Sequence, residues 1–150
     1  MVKSKFTLER PMPDGIQTDL TQITAADEAH SFAEYAAIKA AIKIYLDAAK
    51  LGDGALSRSA FYDHAYVVGS IAGETFEMDA DTFGGAVTEG GASENIQHHI
   101  AWINISGPAA AARVEILDWS GMRYTDFFVL YEKDGTWKIS SKVFDSHAKN

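Results

Sequence analysis

From Tyr35 the chain repeats apolar residues at helical spacing. Tyr35, Ile38, Ile42, Tyr45 and Ala49 recur at alternating steps of three and four, with Lys39, Lys43 and Lys50 off the stripe. That pattern predicts an amphipathic helix. Ser31 and Glu34 have capping-box spacing for its start, and Thr24 with Asp27 offers an earlier one. Gly52 predicts its end. Asp53 is placed to cap a second, shorter helix through about Phe61, burying Leu56 and Ala60 or Phe61. Ala65 to Ile71 is a short apolar run closed by glycine and reads as a strand. Asp79 or Asp81 can cap a third short helix from about Thr82 to Val87, weakened by Gly84 and Gly85. Glu89 to Ser93 reads as a glycine-rich loop.

Beyond this point the period changes from helical to alternating. His98 to Ser106, Ala109 to Trp119, Met122 to Lys133 and Thr136 to Ser146 predict four strands, separated by Gly107-Pro108, Ser120-Gly121 and Asp134-Gly135. The stretch YTDFFVLYEKDGTWKISSKVF, Tyr124 to Phe144, is the strongest signal. Two runs of aromatic and β-branched residues flank an Asp-Gly pair suited to a type I′ turn. Helices first and an antiparallel meander after them predict an α+β fold.

That hairpin, together with LSRSAFYDHAYVVGSIAG (Leu56 to Gly73), resembles the NTF2-like superfamily over about Ser31 to His147. The resemblance is to the branch labelled "putative lumazine-binding", beside the polyketide-cyclase-like (SnoaL-like) and ketosteroid-isomerase-like branches. It implies a curved antiparallel sheet wrapped around N-terminal helices, forming a cone with an internal cavity. It also implies a homodimer through the outer face of the sheet. Residues 1–25 are then an extended N-terminal arm, and 26–150 a single domain. The superfold hosts enzymes, binding modules and adaptors, so fold alone does not assign function.

Two-residue turns would fix the register, and register fixes the faces. Regular ladders put Glu115 opposite Asp126, Tyr124 opposite Asp145, and Phe128 opposite Ser141. They also put His98 opposite Leu117 and Ile100 opposite Glu115. One face then carries His98, Ile100, Trp102, Glu115, Leu117, Trp119, Tyr124, Asp126, Phe128, Leu130, Ile139 and Val143 and would line the cone. The other carries His99, Ile103, Val114, Ile116, Asp118, Arg123, Phe127, Val129, Tyr131, Lys138 and Lys142. Two carboxylates 4.5–5.5 Å apart at Cβ, as a cross-strand pair about that far apart would be, cannot both ionise cheaply in an apolar cavity, so one pKa should rise. Glu115 and Asp126 are therefore the candidate acid/base groups, with His64 at a helix-to-strand corner as a third. The alternative is a rim position, or neutralisation by Arg113. Tyr45, His98, Trp102, Trp119, Tyr124 and Phe128 are the candidate ligand contacts, although aromatic stripes are usually core.

Composition narrows the classes. The chain has 150 residues, a formal net charge of −8 and no cysteine. No Lys/Arg cluster offers a nucleic-acid or anionic-membrane footprint. Absent disulfides agree with a cytoplasmic setting. His98 and His99 point to opposite faces of a strand and cannot readily share an ion, so no metal and no cofactor is expected. A small-molecule-binding domain is the first expectation. The alternatives are a cofactor-independent isomerase, cyclase or dehydratase using an Asp or Glu, and an adaptor with a filled cone.

Overall fold

The computed structural model describes residues 25–147. The proposed arm, 1–25, therefore falls almost wholly outside the described residues. The chain divides into two units at Ala33/Glu34, and the architecture below is that of the unit beginning at Glu34. In chain order the elements are α1 (Ala25–Leu51), α2 (Gly54–Ser59), β1 (Phe61–Ile71), β2 (Glu74–Asp79), α3 (Ala80–Gly90), β3 (Gln97–Ser106), β4 (Ala109–Trp119), β5 (Met122–Lys133) and β6 (Thr136–Ser146). Helix α1 takes the earlier of the two expected starts and ends where Gly52 adopts a φ of +69°. Asp53 and Asp79 cap α2 and α3 by accepting from the amides of Leu56 (3.0 Å) and Thr82 (2.7 Å). These bonds satisfy helix-terminal donors that would otherwise have no partner.

Strand β2 was not expected. Its alternation is mostly exposed and it pairs only with β1, so little burial patterning marks it in the sequence. The six strands form one sheet in the order β2-β1-β6-β5-β4-β3. Neighbours are antiparallel except β1 and β6, which run parallel. The last strand in sequence thus lies inside the sheet, between the first strand and the meander. Ile38, Ile42, Tyr45 and Ala49 of α1 are buried, as their periodicity predicts. They meet an inner sheet face carrying Phe61, Val67, Ala112, Val114, Ile116, Phe128, Leu130 and Ile139. Full burial of one such aliphatic or aromatic side chain contributes about 1.5–3 kcal/mol.

All three meander turns sit where expected, with Ser106 opposite Ala109, Trp119 opposite Met122 and Lys133 opposite Thr136. Positive φ at Ser120, Gly121, Asp134 and Gly135 fits type I′ geometry. At the third turn only Gly107 has positive φ, so Pro108 keeps the φ its ring requires.

The ladders beyond these turns are not regular, and this overturns the expected facing of several residues. One extra residue intervenes on β3 between Ile100 and Trp102, one on β4 between Ile116 and Trp119, and one on β6 between Ile139 and Ser141. Each bulge shifts the strand by one residue, which exchanges its two faces. Glu115 consequently faces Thr125, not Asp126, and Asp126 faces Val114 and Phe144. His98 lies opposite Ile116 and Ile100 opposite Val114. Phe128 lies opposite Lys142, and Tyr124 opposite Ser146. Val114, Ile116 and Lys142, expected outside, are buried, while Val143 and Leu117, expected inside, are exposed.

Candidate functional site

The bulge at Ser140 places Lys142 on the inner face of β6, where the side chain is 3% exposed. Four aromatic rings surround its Nζ. Their centroids lie 4.3 Å away for Phe83, 4.7 Å for Phe144, 4.8 Å for Tyr45 and 5.4 Å for Trp119. Phe83 comes from α3, Tyr45 from α1, Trp119 from the end of β4 and Phe144 from β6 itself. The rings also hold one another: Tyr45 stacks on Phe83 and meets Trp119 and Phe128 edge-on. Phe144 has room because it lies against Gly69 of β1, where a Cβ would fall 2.3 Å from its ring.

Behind Lys142 sits Asp126, fully buried. Its Oδ2 accepts a 2.7 Å hydrogen bond from the Tyr45 hydroxyl and lies 3.6 Å from Lys142 Nζ. Its Oδ1 has no hydrogen-bond partner among the described residues. Burial pushes the Asp126 carboxyl up, against the opposing Lys142 charge and the Tyr45 hydrogen bond. Burial likewise pushes the Lys142 amine down, against the pull of Asp126. The ring faces favour the cation, but desolvation of an amine enclosed by carbon is the larger effect. Tyr45 is held well above the usual phenol range by burial and by the neighbouring carboxylate, so it stays a hydrogen-bond donor.

In front of Lys142 lies a cavity of about 100 Å³, lined by Ile71, Met78, Phe83, Ala86, Trp119, Tyr124, Lys142 and Phe144. Ala86 on α3 is exposed, and Ile71 and Met78 are half-buried, so the mouth lies between α3 and the β1–β2 hairpin. An apolar cavity of about 150 Å³ holds benzene, so this one accommodates a fragment of about four heavy atoms or the end of a longer molecule.

Of the residues singled out from sequence, Trp119 and Tyr124 line the cavity, and Tyr45, Phe128 and Asp126 stand behind it. The others lie elsewhere. Glu115 is on the outer face, where it accepts from Arg113 (2.8 Å) and Thr125 (2.6 Å). Partial burial alone would raise its pKa, but those hydrogen bonds and the charges of Arg113 and Arg123 outweigh it and hold the carboxyl low. Trp102 also faces outward, its ring 6.4 Å from that of Phe127. His64 is exposed, stacked on Tyr62 and bonded to Ser140. His98 sits at the β3 edge beside Lys43, Asp47 and Lys50 of α1. The residue missed entirely is Lys142, along with Phe83 and Phe144. Its only trace in the sequence is Ser140-Ser141, a polar break in an otherwise alternating strand.

Helices closing one face of a curved, unclosed six-stranded sheet around an aromatic interior define an NTF2-like α+β protein. The NTF2-like protein of unknown function from Shewanella baltica OS155 superposes with a TM-score of 0.74 at 30% identity, covering 79% of this chain and 97% of that one. A second, from Silicibacter pomeroyi DSS-3, gives 0.73 at 29%, covering 78% and 98%. A ketosteroid isomerase-like protein from Erwinia carotovora atroseptica SCRI1043 shares the fold alone, at 0.58 and 16% identity over 75% of this chain and 95% of its own. The chain belongs to the family described as "Putative lumazine-binding", which matches residues 33–145. Among curated proteins, the aldolase FrzH of a Cladobotryum species is 24% identical over 117 residues, spanning 77% of this chain and 94% of that protein. Among the described residues, no helix is long and apolar enough to cross a membrane.

Proposed function

We propose that the cavity binds a small, apolar molecule. The observation that carries this reading is the cavity itself, an aromatic and aliphatic hollow that opens between α3 and the β1–β2 hairpin. A site of that composition rewards apolar shape. Trp119, Tyr124 and Phe144 suit a flat ligand. Quenching of tryptophan fluorescence tests this. Cyclopentanone or benzaldehyde should quench saturably, the effect should vanish in Trp119→Phe, and cyclopentane should compete for the same site. Unsaturable quenching, unaltered in Trp119→Phe, would count decisively against the reading.

A second reading is favoured by the Asp126–Lys142 pair: a cofactor-independent enzyme that moves a proton next to a carbonyl. Isomerases, cyclases and dehydratases do this, and so do aldolases, the activity for which the Cladobotryum relative is named. Because Lys142 stands between Asp126 and the cavity, Asp126 would act through the amine. The same proposal includes a homodimer through the outer sheet face, where Phe127, Val129, Tyr131 and Val143 are exposed side by side on β5 and β6. It also includes a cytoplasmic setting, in keeping with a chain that has no cysteine.

A further inference from the structure

We propose that the groove between α1 and the open edge of β3 binds an extended acidic peptide, of the pattern acidic–x–apolar–x–acidic, as a further strand of the sheet. The groove has a volume of about 440 Å³ and shares no lining residue with the aromatic cavity. Three independent features meet in it. The first is charge. Lys39, Lys43 and Lys50 all line the groove. With 3.6 residues per turn they fall within about 40° of one another around α1, in a row about 16 Å long. Asp47 pairs with Lys43, and neither Lys39 nor Lys50 has a carboxylate partner among the described residues. In a chain of net charge −8 this is a local reversal of sign, and it favours an anionic partner.

The second feature is an apolar floor. Leu46 lies in the same row, buried between Lys43 and Lys50, and Ile96 and Ile100 are half-buried across from it. A bare ion gains nothing from such a floor, whereas an anion with an apolar part does. The third feature is the backbone. Strand β3 ends the sheet, with β4 on one side and no strand on the other. It has no fully buried residue, and its outer edge pairs with no other backbone among the described residues. Such an edge offers N–H and C=O groups to an added strand. A small organic anion would leave those groups to water, so the edge favours a peptide. Strand geometry then sets the pattern. Residues i, i+2 and i+4 of an added strand face the same way, and the outer two are about 13 Å apart. Two acidic side chains at that spacing reach Lys39 and Lys50 on their flexible stems, with an apolar side chain between them over Leu46 and Ile100.

Fluorescence anisotropy on the full chain at low salt tests this. The probes are fluorescein-labelled Glu-Thr-Val-Thr-Glu, its counterpart Lys-Thr-Val-Thr-Lys, and two N-methylated forms of the acidic peptide. One form is methylated at both threonines, the other at the valine and the last glutamate. The acidic peptide should bind saturably and the basic one should not. An added strand turns alternate amides toward its neighbour, so one methylated form should lose binding and the other keep it. Lys39→Gln with Lys50→Gln, both exposed, should weaken binding at least about threefold. Methyl NMR should show shifts at Ile96 and Ile100, not at Ile71 of the aromatic cavity. Equal binding of the basic peptide, or shifts at Ile71 alone, overturns the site. Equal binding of both methylated forms overturns strand addition and assigns the groove to small anions. Self-association that the double lysine variant abolishes assigns the edge to a second copy of the chain and likewise overturns the proposal.

Discussion

Lys142 and Asp126 are two opposite charges in a carbon-lined interior, and each is costly without the other. Removing one partner of such a pair typically costs about 3–5 kcal/mol, because the survivor is left buried and unpaired. Lys142→Met should therefore lower stability to urea by an amount of that order. Lys142→Met combined with Asp126→Asn should recover a large part of it, since the asparagine still accepts from Tyr45. A double variant that unfolds as early as the worse single variant would argue against coupling. Tyr45→Phe strips Asp126 of its one close donor and should cost about 1–3 kcal/mol.

The pair also sets a sign for pH. The Asp126 carboxyl is raised above its ordinary 3.8 chiefly by burial, so just above that value the folded chain keeps a proton the unfolded chain has released. Stability from this group is full below 3.8 and is lost as pH rises through the folded pKa. Lys142 is depressed from 10.5 chiefly by burial, and its sign is opposite: stability rises as pH climbs toward 10.5. Urea midpoints measured from about pH 4 to about pH 6 should fall more steeply for the parent chain than for Asp126→Asn. Parallel curves would mean that Asp126 is ionised throughout that range.

At the scale of elements, the turns and helix caps were legible because each depends on one or two residues with a local requirement. Asp53, Asp79, Ser120-Gly121 and Asp134-Gly135 all do what their chemistry dictates. The inner placement of Tyr124, Asp126 and Phe128 was legible too, since β5 alternates cleanly. The bulges were not. A bulge is selected by how strands twist and pack across a sheet, and the polar break at Ser140-Ser141 does not by itself fix which residue is the extra one. Three single-residue insertions sufficed to dissolve the Glu115–Asp126 pair, turn Trp102 outward and bring Lys142 in. The fold survives such errors because it rests on element order and core volume, whereas the site depends on the face of individual residues. Gly69 shows how tightly strands are fitted around the cage. Gly69→Ala would drive a methyl group into the Phe144 ring and should cost about 1–3 kcal/mol. An unchanged urea midpoint would mean that Phe144 has room to yield.

At the scale of the whole molecule, the outer face of the sheet is the feature that the described residues leave uncovered. Phe127 is 40% exposed and Val143 51%, in a sheet whose other face is closed by helices. Contiguous apolar exposure of this kind marks an interaction surface, and a second copy presenting the same strip satisfies it symmetrically. Sedimentation equilibrium should give a dimer mass for the parent chain and the 16.3 kDa monomer for Phe127→Glu. Equal masses for both would remove the dimer proposal. The position of β6 has a different consequence, which concerns the order of synthesis. The strand bearing Lys142 is made after every other described strand, yet it must insert between β1 and β5. Until it does, the β1–β2 hairpin and the β3–β5 meander have no seam, and the aromatic cage has no floor. A nascent chain stalled before Thr136 should accordingly remain protease-sensitive, and the native interior should assemble only once β6 has emerged.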